Sequence, residues 1–373
     1  MSIQLFTPTF RIEECLDEIR ECLEKGWTGL GYKTTAFEEK WKEYTGLTNA
    51  HFLNSATVGL SLALKILKME CGWQDQDEII TTPLTFVSTN HAILYEGLRP
   101  VFADVDQYLC LDPEDVRNKI TAKTKAVLFV GIGGNTGQYE QIAAICKQNQ
   151  LKLILDAAHM AGTRLHGQIP GKEADAVVYS FQAVKNLPTA DSGMICFKDT
   201  KHDELCRKLT WLGINKDTFA RSNDKGAYKW KYDVEYVGYK YHGNSIMASI
   251  GLVQLKYLDQ DNAYRRQLAS WYDQAFQGRV ASIPVADGCE SSRHLYIIEA
   301  SNRNELLLAL NECGIYPGVH YRDNTEYRMY SYAHGTCKNS HRTSERIISL
   351  PMHLRLSKQD VDFIAEKVMT YSK

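Results

Sequence analysis

Apolar residues recur along the chain at two spacings, and the alternation between those spacings sets out its elements. From Ile12 to Lys25 the apolar side chains Ile12, Cys15, Leu16, Ile19, Cys22 and Leu23 fall at helical intervals, and Gly26 ends the run as a C-cap would. Trp27 to Tyr32 is glycine-rich and predicts an irregular link. A second helix is expected over Thr34 to Tyr44, amphipathic through Phe37, Trp41 and Tyr44. Asn54-Ser55-Ala56-Thr57 then precedes the helical pattern Val58 to Met69, so a short strand runs straight into a helix start.

Beyond that point the pattern becomes regular. Short apolar runs at 78–81, 100–103, 126–130, 151–155, 176–179 and 194–197 read as strands. Helical patterns at 88–95, 113–120, 139–149 and 201–212 lie among them. Strands alternating with helices predict an α/β protein with a mostly parallel sheet covered on both faces. From Gly213 to His242 the composition turns to Lys, Asp, Tyr and Asn, with aromatics from Phe219 to Tyr241, and predicts a long loop crossing between domains or subunits. Helical patterns resume at Ser245–Leu258 and Ala263–Phe276. The remainder mixes a strand (His294–Glu299) with helices (Glu305–Cys313, Ser357–Met369). The expected division is a large α/β domain over 1–245 that opens with the N-terminal helices, and a smaller C-terminal α/β domain over 246–373.

Composition narrows the class. The 373 residues are 44% hydrophobic and 24% charged, enough for a sizeable core. Lys plus Arg number 43 against 45 Asp plus Glu, a net charge of −2, which leaves no electrostatic footprint for nucleic acid or an anionic membrane. No stretch reaches the roughly 18 to 20 apolar residues of a membrane helix, so a cytoplasmic protein acting on small molecules is expected. The ten cysteines include no C-x-x-C pair, which favours buried free thiols over zinc or disulfides and gives no metal site.

Candidate chemistry gathers where strands end. Asp156 closes the apolar strand 151–155, so its carboxylate emerges at the carboxyl edge of the sheet. An acid there serves either as the partner of a protonated pyridine nitrogen or as a helix cap or ion-pair partner. Ser55, Ala56 and Thr57 stand at a helix start, where unpaired backbone N–H groups bind phosphate, although Ser and Thr are also the ordinary caps. Ser180 offers a further hydroxyl, and Phe86 either lies flat on an aromatic ring or joins the core. His159 either contacts such a ring or makes a structural hydrogen bond. Lys185 follows the strand 176–179 on a short loop; a lysine held there out of water would carry an aldehyde cofactor as a Schiff base and shuttle a proton, whereas a solvated lysine would do neither.

In combination, Asn54-Ser55-Ala56-Thr57, Thr82 to Thr89, Asp156-Ala157-Ala158-His159, Ser180 to Asn186 and Ser349-Leu350-Pro351-Met352-His353 resemble the DegT/DnrJ/EryC1/StrS sugar aminotransferases, from about Pro8 to the C-terminal helix. The resemblance implies fold type I, the aspartate aminotransferase-like architecture. It also implies pyridoxal 5'-phosphate and a homodimer with both active sites at the interface. The implied reaction is transfer of an amino group, usually from glutamate, to a nucleotide-linked keto sugar such as a 4-keto or 3-keto 6-deoxyhexose of polysaccharide biosynthesis. Lys185 matches the Schiff-base lysine, Asp156 the partner of the ring nitrogen, Phe86 the stacked aromatic and His159 a neighbour at the ring edge. Ala56, Thr57 and Ser180 match the phosphate contacts, and a lysine at 185 argues against the family's dehydratase branch, which has histidine there.

Three motifs depart from the family pattern. Its Asn-x-Arg, reached from the second subunit, reads Lys240-Tyr241-His242; its His-x-Tyr-Gly reads Gly131-Ile132-Gly133-Gly134; its paired glycines read Asp191-Ser192-Gly193. Lys240 would meet an anion as a point charge. An aminotransferase for a small phosphorylated ketone and a cofactor-binding regulator without turnover are the rival readings.

Overall fold

In a computed structural model, residues 2–215 and 232–373 are described. Of the expected loop from Gly213 to His242, the stretch 216–231, which includes Phe219, lies outside the described residues.

A seven-stranded sheet runs in the order His51–Leu53, Gly193–Phe197, Ala176–Ser180, Lys152–Asp156, Thr124–Val130, Glu78–Thr81, Arg99–Phe102. Its strands are parallel except Gly193–Phe197, which is antiparallel to both neighbours. Parallel neighbours need a crossover, whereas an antiparallel neighbour needs only a turn of the chain. The turn that returns Ser180 to Gly193 is the one that carries Lys185.

Period-2 alternation divides each strand between two cores. Ile154, Val178 and Ile195 face Leu60, Leu64 and Ile93 of the helices Ala56–Cys71 and Val87–Tyr95. Leu153, Leu155, Val177 and Tyr179 face Phe37, Trp41 and Ile142 of the helices Tyr32–Thr45 and Tyr139–Gln148. Because both faces are covered, the strands read in sequence as continuous apolar runs.

A third core, in the C-terminal part, includes Tyr272, Tyr296, Leu306, Ile348 and Ile364, from the helices Ser245–Phe276, Arg303–Glu312 and Lys358–Tyr371 and the antiparallel strands Tyr296–Glu299 and Ile347–Leu350. Near the N-terminus, Ile3–Gln4 joins this part by pairing in parallel with Ile315–Tyr316.

Several expectations shift. The two helical patterns after Ser245 form one helix of 32 residues, Ser245–Phe276. The pattern breaks near its middle because Asp261 and Asn262 are buried polar residues with partners: Asp261 is bound by Arg11 at 2.6 and 2.7 Å, and Asn262 by Asn186 at 2.7 Å. The helix Lys338–Arg346 was not anticipated because it contains no apolar residue to set a period, and the strand Ile347–Leu350 behind it was missed as well. Asp156 is the last residue of its strand rather than the first beyond it.

Behind the strand that leads to the helix start at Ala56 lies a charged cluster centred on the buried Glu38. Glu38 accepts from the Phe52 N–H at 2.8 Å, contacts His51 Nδ1 at 2.9 Å and pairs with Arg207 at 2.9 Å. It ties the helices Tyr32–Thr45 and Thr200–Thr210 to the strand His51–Leu53 that leads to Ser55.

Candidate active site

The carboxyl ends of the strands open into a cavity of about 410 Å³. Its wall includes Ser55, Ala56, Thr57, Phe86, Asp156, His159, Ser180 and Lys185, so eight of the nine expected site residues meet in one place.

Ser55 is extended and caps the helix Ala56–Cys71, its Oγ accepting from the Val58 N–H at 3.4 Å. The first backbone N–H groups of that helix have no partner within the helix, as at any helix start, and an anion completes them. Gly193 makes room for this turn: a Cβ there would stand 2.6 Å from the Ala56 nitrogen. Ser180, buried at the end of the adjoining strand, accepts from the Gln182 N–H at 3.4 Å.

Asp156 is fully enclosed. Its Oδ2 accepts from Thr89 Oγ1 at 2.8 Å and its Oδ1 from the Ala158 N–H at 3.1 Å, and Thr85 stands 3.0 Å behind Thr89. Burial raises its pKa, against the hydrogen bonds from Thr89 and Ala158 and the charge of Lys185. Among the described residues it makes no ion pair within 4.0 Å, Lys185 acting on it only through its charge, so the buried carboxylate has no contacting cation, which a protonated pyridine nitrogen would supply. The cavity therefore fits a phosphorylated pyridine at both ends: an anion site at the helix start and a cation site at Asp156.

Lys185 projects into the same cavity, and burial lowers its pKa to about 8, with Asp156 opposing. At pH 7 about a tenth of such an amine is unprotonated, far more than of an ordinary lysine. Phe86 caps the helix Val87–Tyr95 and is 57% exposed, its ring centroid 5.9 Å from that of Tyr321. It is an aromatic left open rather than packed into the core.

His159 is buried and held neutral, by burial first and then by the charges of Lys185 and His320. Its Nδ1 accepts from the Gly133 N–H at 3.1 Å and its Nε2 meets Tyr321 Oη at 3.2 Å. The departed motif Gly131–Gly134 is thereby engaged: a Cβ on Gly131 would overlap Met160 Sδ at 2.0 Å, and one on Gly134 would overlap Ser292 Oγ at 2.2 Å.

Lys240 is the exception. It lies outside this cavity with its Nζ 3.1 Å from the centroid of the Trp211 ring, while its carbonyl accepts from Asn54 Nδ2 at 3.3 Å. The segment therefore flanks the phosphate turn of its own chain without entering its cavity.

Sequence reasoning missed Phe6, Thr89, His294, His320 and Tyr321 as wall residues. His320 and Tyr321 come from the C-terminal part, in a stretch without periodicity. One available signal was the Ser349–His353 motif: Ser349 Oγ holds His320 Nδ1 at 2.9 Å.

A lysine on the turn after a central strand, sharing a cavity with a strand-end aspartate and a helix start inside this sheet order, is the arrangement of a fold type I pyridoxal-phosphate enzyme. The chain belongs to the DegT/DnrJ/EryC1/StrS aminotransferase family, whose model matches residues 10–369. It is a sugar aminotransferase of that family. It is 34% identical to the spore coat polysaccharide biosynthesis protein SpsC of Bacillus subtilis, over 95% of this chain and 94% of that one. It is 31% identical to the dTDP-4-dehydro-2,3,6-trideoxy-D-glucose 4-aminotransferase of Saccharopolyspora spinosa, over 98% and 95%. Spr1654 of Streptococcus pneumoniae, assigned as a sugar aminotransferase and solved in PMP, apo and PLP forms, superposes in its PMP form with a TM-score of 0.91 at 28% identity, covering 98% of each chain. No described helix is long and apolar enough to cross a membrane.

Proposed function

We propose that this chain moves an amino group from glutamate to a nucleotide-linked keto sugar, a 4-keto or 3-keto 6-deoxyhexose. The observation that carries the reading is the single cavity in which Lys185, Asp156 and the Ser55–Thr57 turn converge. The cofactor is pyridoxal 5'-phosphate, which Spr1654 holds in its PLP form. When bound, it supplies the aldehyde that takes the donor's amino group and the electron-poor ring that stabilises the carbanion.

The roles of the chain follow from position. Ser55, Ala56, Thr57 and Ser180 hold the phosphate, and Asp156 keeps the ring nitrogen protonated. Phe86 lies against the ring face and His159 against its edge. Lys185, with its lowered pKa, gives and takes the proton at the substrate carbon. The chain divides at 245/246, with His320 and Tyr321 as part of the C-terminal contribution to the cavity.

The sugar assignment rests on the Saccharopolyspora spinosa relative, which by its name acts on a dTDP-linked 4-dehydro sugar, and on SpsC, named for polysaccharide biosynthesis. The working unit is a homodimer in which Lys240 serves the neighbouring copy's site. Its position outside its own cavity supports this, as do the exposed apolar side chains Ile12, Leu16 and Leu23 on one helix and Val237, 93% exposed. A panel of keto-sugar nucleotides and small ketophosphates, each offered with glutamate, tests the substrate. Conversion of a keto-sugar nucleotide with one 2-oxoglutarate formed per amino sugar is expected. Turnover of ketophosphates alone would overturn the sugar assignment, and binding without turnover would overturn the reaction.

A further inference from the structure

Phe86 is more than half exposed, so core packing does not fix its ring and the backbone leading to it must. That backbone is the turn 82–85, which follows the strand Glu78–Thr81. Two buried asparagines hold its carbonyls. Asn90, on the helix Val87–Tyr95, donates through Nδ2 to the Thr82 carbonyl at 3.2 Å. Asn324, from the C-terminal part, donates through its backbone N–H to the Pro83 carbonyl and through Nδ2 to the Thr85 carbonyl, each at 2.8 Å.

The two amides lock each other. Asn90 Nδ2 also donates to Asn324 Oδ1 at 3.0 Å, and Asn90 Oδ1 accepts from Thr81 Oγ1 at 3.2 Å. Asn324 Nδ2 has a further partner in the Arg322 carbonyl at 3.3 Å. Carbonyls only accept, so turning either amide over would set oxygen against oxygen, and each keeps one orientation. No N–H of either amide is left idle.

The pair sits between two walls of the cavity. On one side Thr85, whose carbonyl Asn324 holds, is followed directly by Phe86. On the other, three residues before Asn324, stands Tyr321, its ring 5.9 Å from that of Phe86 and its Oη 3.2 Å from His159 Nε2. One side chain thus fastens the aromatic of the sheet part to the segment that brings Tyr321 from the C-terminal part.

We propose that Asn324 is a positioning residue of the active site: locked by Asn90, its amide pins the turn 82–85 so that Phe86 meets the face of the bound ring. This role rests on the cavity being the pyridoxal phosphate site with Phe86 against the ring.

Asn324→Leu keeps the size of the side chain and removes its hydrogen bonds. The variant should bind pyridoxal phosphate about threefold to tenfold more weakly, the worth of one aromatic contact. The circular dichroism of the bound ring should weaken with it, and in the cofactor-free protein the backbone amides of residues 84–90 should exchange faster. On a Phe86→Leu background the same substitution should change the affinity by about twofold or less, because the ring it positions is gone. Should the variant not fold, Asn90→Ser, which frees the Asn324 amide but leaves it in place, makes the same comparison on both backgrounds. Equal losses on the two backgrounds would make the pair a general fastening of the fold and overturn the proposal, as would unchanged affinity in Asn324→Leu. A parent protein that takes up no pyridoxal phosphate would overturn the cofactor reading itself, and this role with it.

Discussion

Thr89 donates to Asp156 across 2.8 Å, with Thr85 at 3.0 Å behind it, and this pair decides how the buried carboxylate behaves. Thr89→Val keeps the shape and removes the donor, leaving Asp156 less well stabilised as an anion. The loss should cost about 1 to 3 kcal/mol of stability. Because a hydrogen bond to the charged form holds a carboxyl pKa down, its removal raises that of Asp156. The acid limb of the kcat profile should therefore move to higher pH; an unmoved limb would show that Thr89 does not tune the acid. The strand-end rule made Asp156 legible in the sequence, because position along a strand sets which edge a side chain reaches. Thr89 was hidden because a threonine in the first turn of a helix reads as local structure until the fold brings it against the carboxylate. His320 and Tyr321 were hidden for a similar reason: pattern carries periodicity, not the meeting of distant segments.

At the scale of the element, the phosphate turn depends on what lies behind and beside it. Gly193 is extended rather than left-handed, and what requires glycine there is the approach of the Ala56 nitrogen. Gly193→Ala should weaken cofactor binding more than it lowers the melting temperature of the cofactor-free protein, measured by titration and by thermal unfolding. Behind the strand that leads to the turn, burial works to raise the pKa of Glu38, but the His51 hydrogen bond, the charges of Arg207 and His51 and the Phe52 N–H hold it below the ordinary carboxylate value. A depressed folded pKa contributes stability that is present above the unfolded value and lost as pH falls through the folded one. Glu38→Gln should therefore flatten the acid side of the stability curve, whereas Glu38→Ala, which leaves the buried His51 Nδ1 and Phe52 N–H without their partner while Arg207 keeps Asp203, should cost about 1 to 3 kcal/mol near neutral pH. An acid limb as steep in the Gln variant as in the parent would contradict this. Most elements were legible to within a residue or two because strands covered on both faces have no polar interruption to blur their ends. The helix Lys338–Arg346 was not, since helices without an apolar stripe give no period to read.

For the whole molecule, the proposed working unit is the pair of chains. If Lys240 serves the neighbouring copy, then Lys185→Ala and Lys240→Ala proteins, each impaired alone, should regain activity when unfolded together and refolded as a mixture. One of the two sites in a mixed dimer would then have both residues intact. No recovery, with a dimer present by sedimentation, would place Lys240 outside the site. Composition points to a small-molecule partner, because near-balanced charge offers nothing to a polyanion. The expectation of a homodimer comes from family resemblance alone.

The claim on which all of this depends is that Lys185 holds the cofactor. Protein loaded with pyridoxal phosphate, reduced with borohydride, digested and weighed by mass spectrometry should carry the phosphopyridoxyl mass on the peptide containing Lys185. The adduct on any other lysine, or on none, would contradict the account.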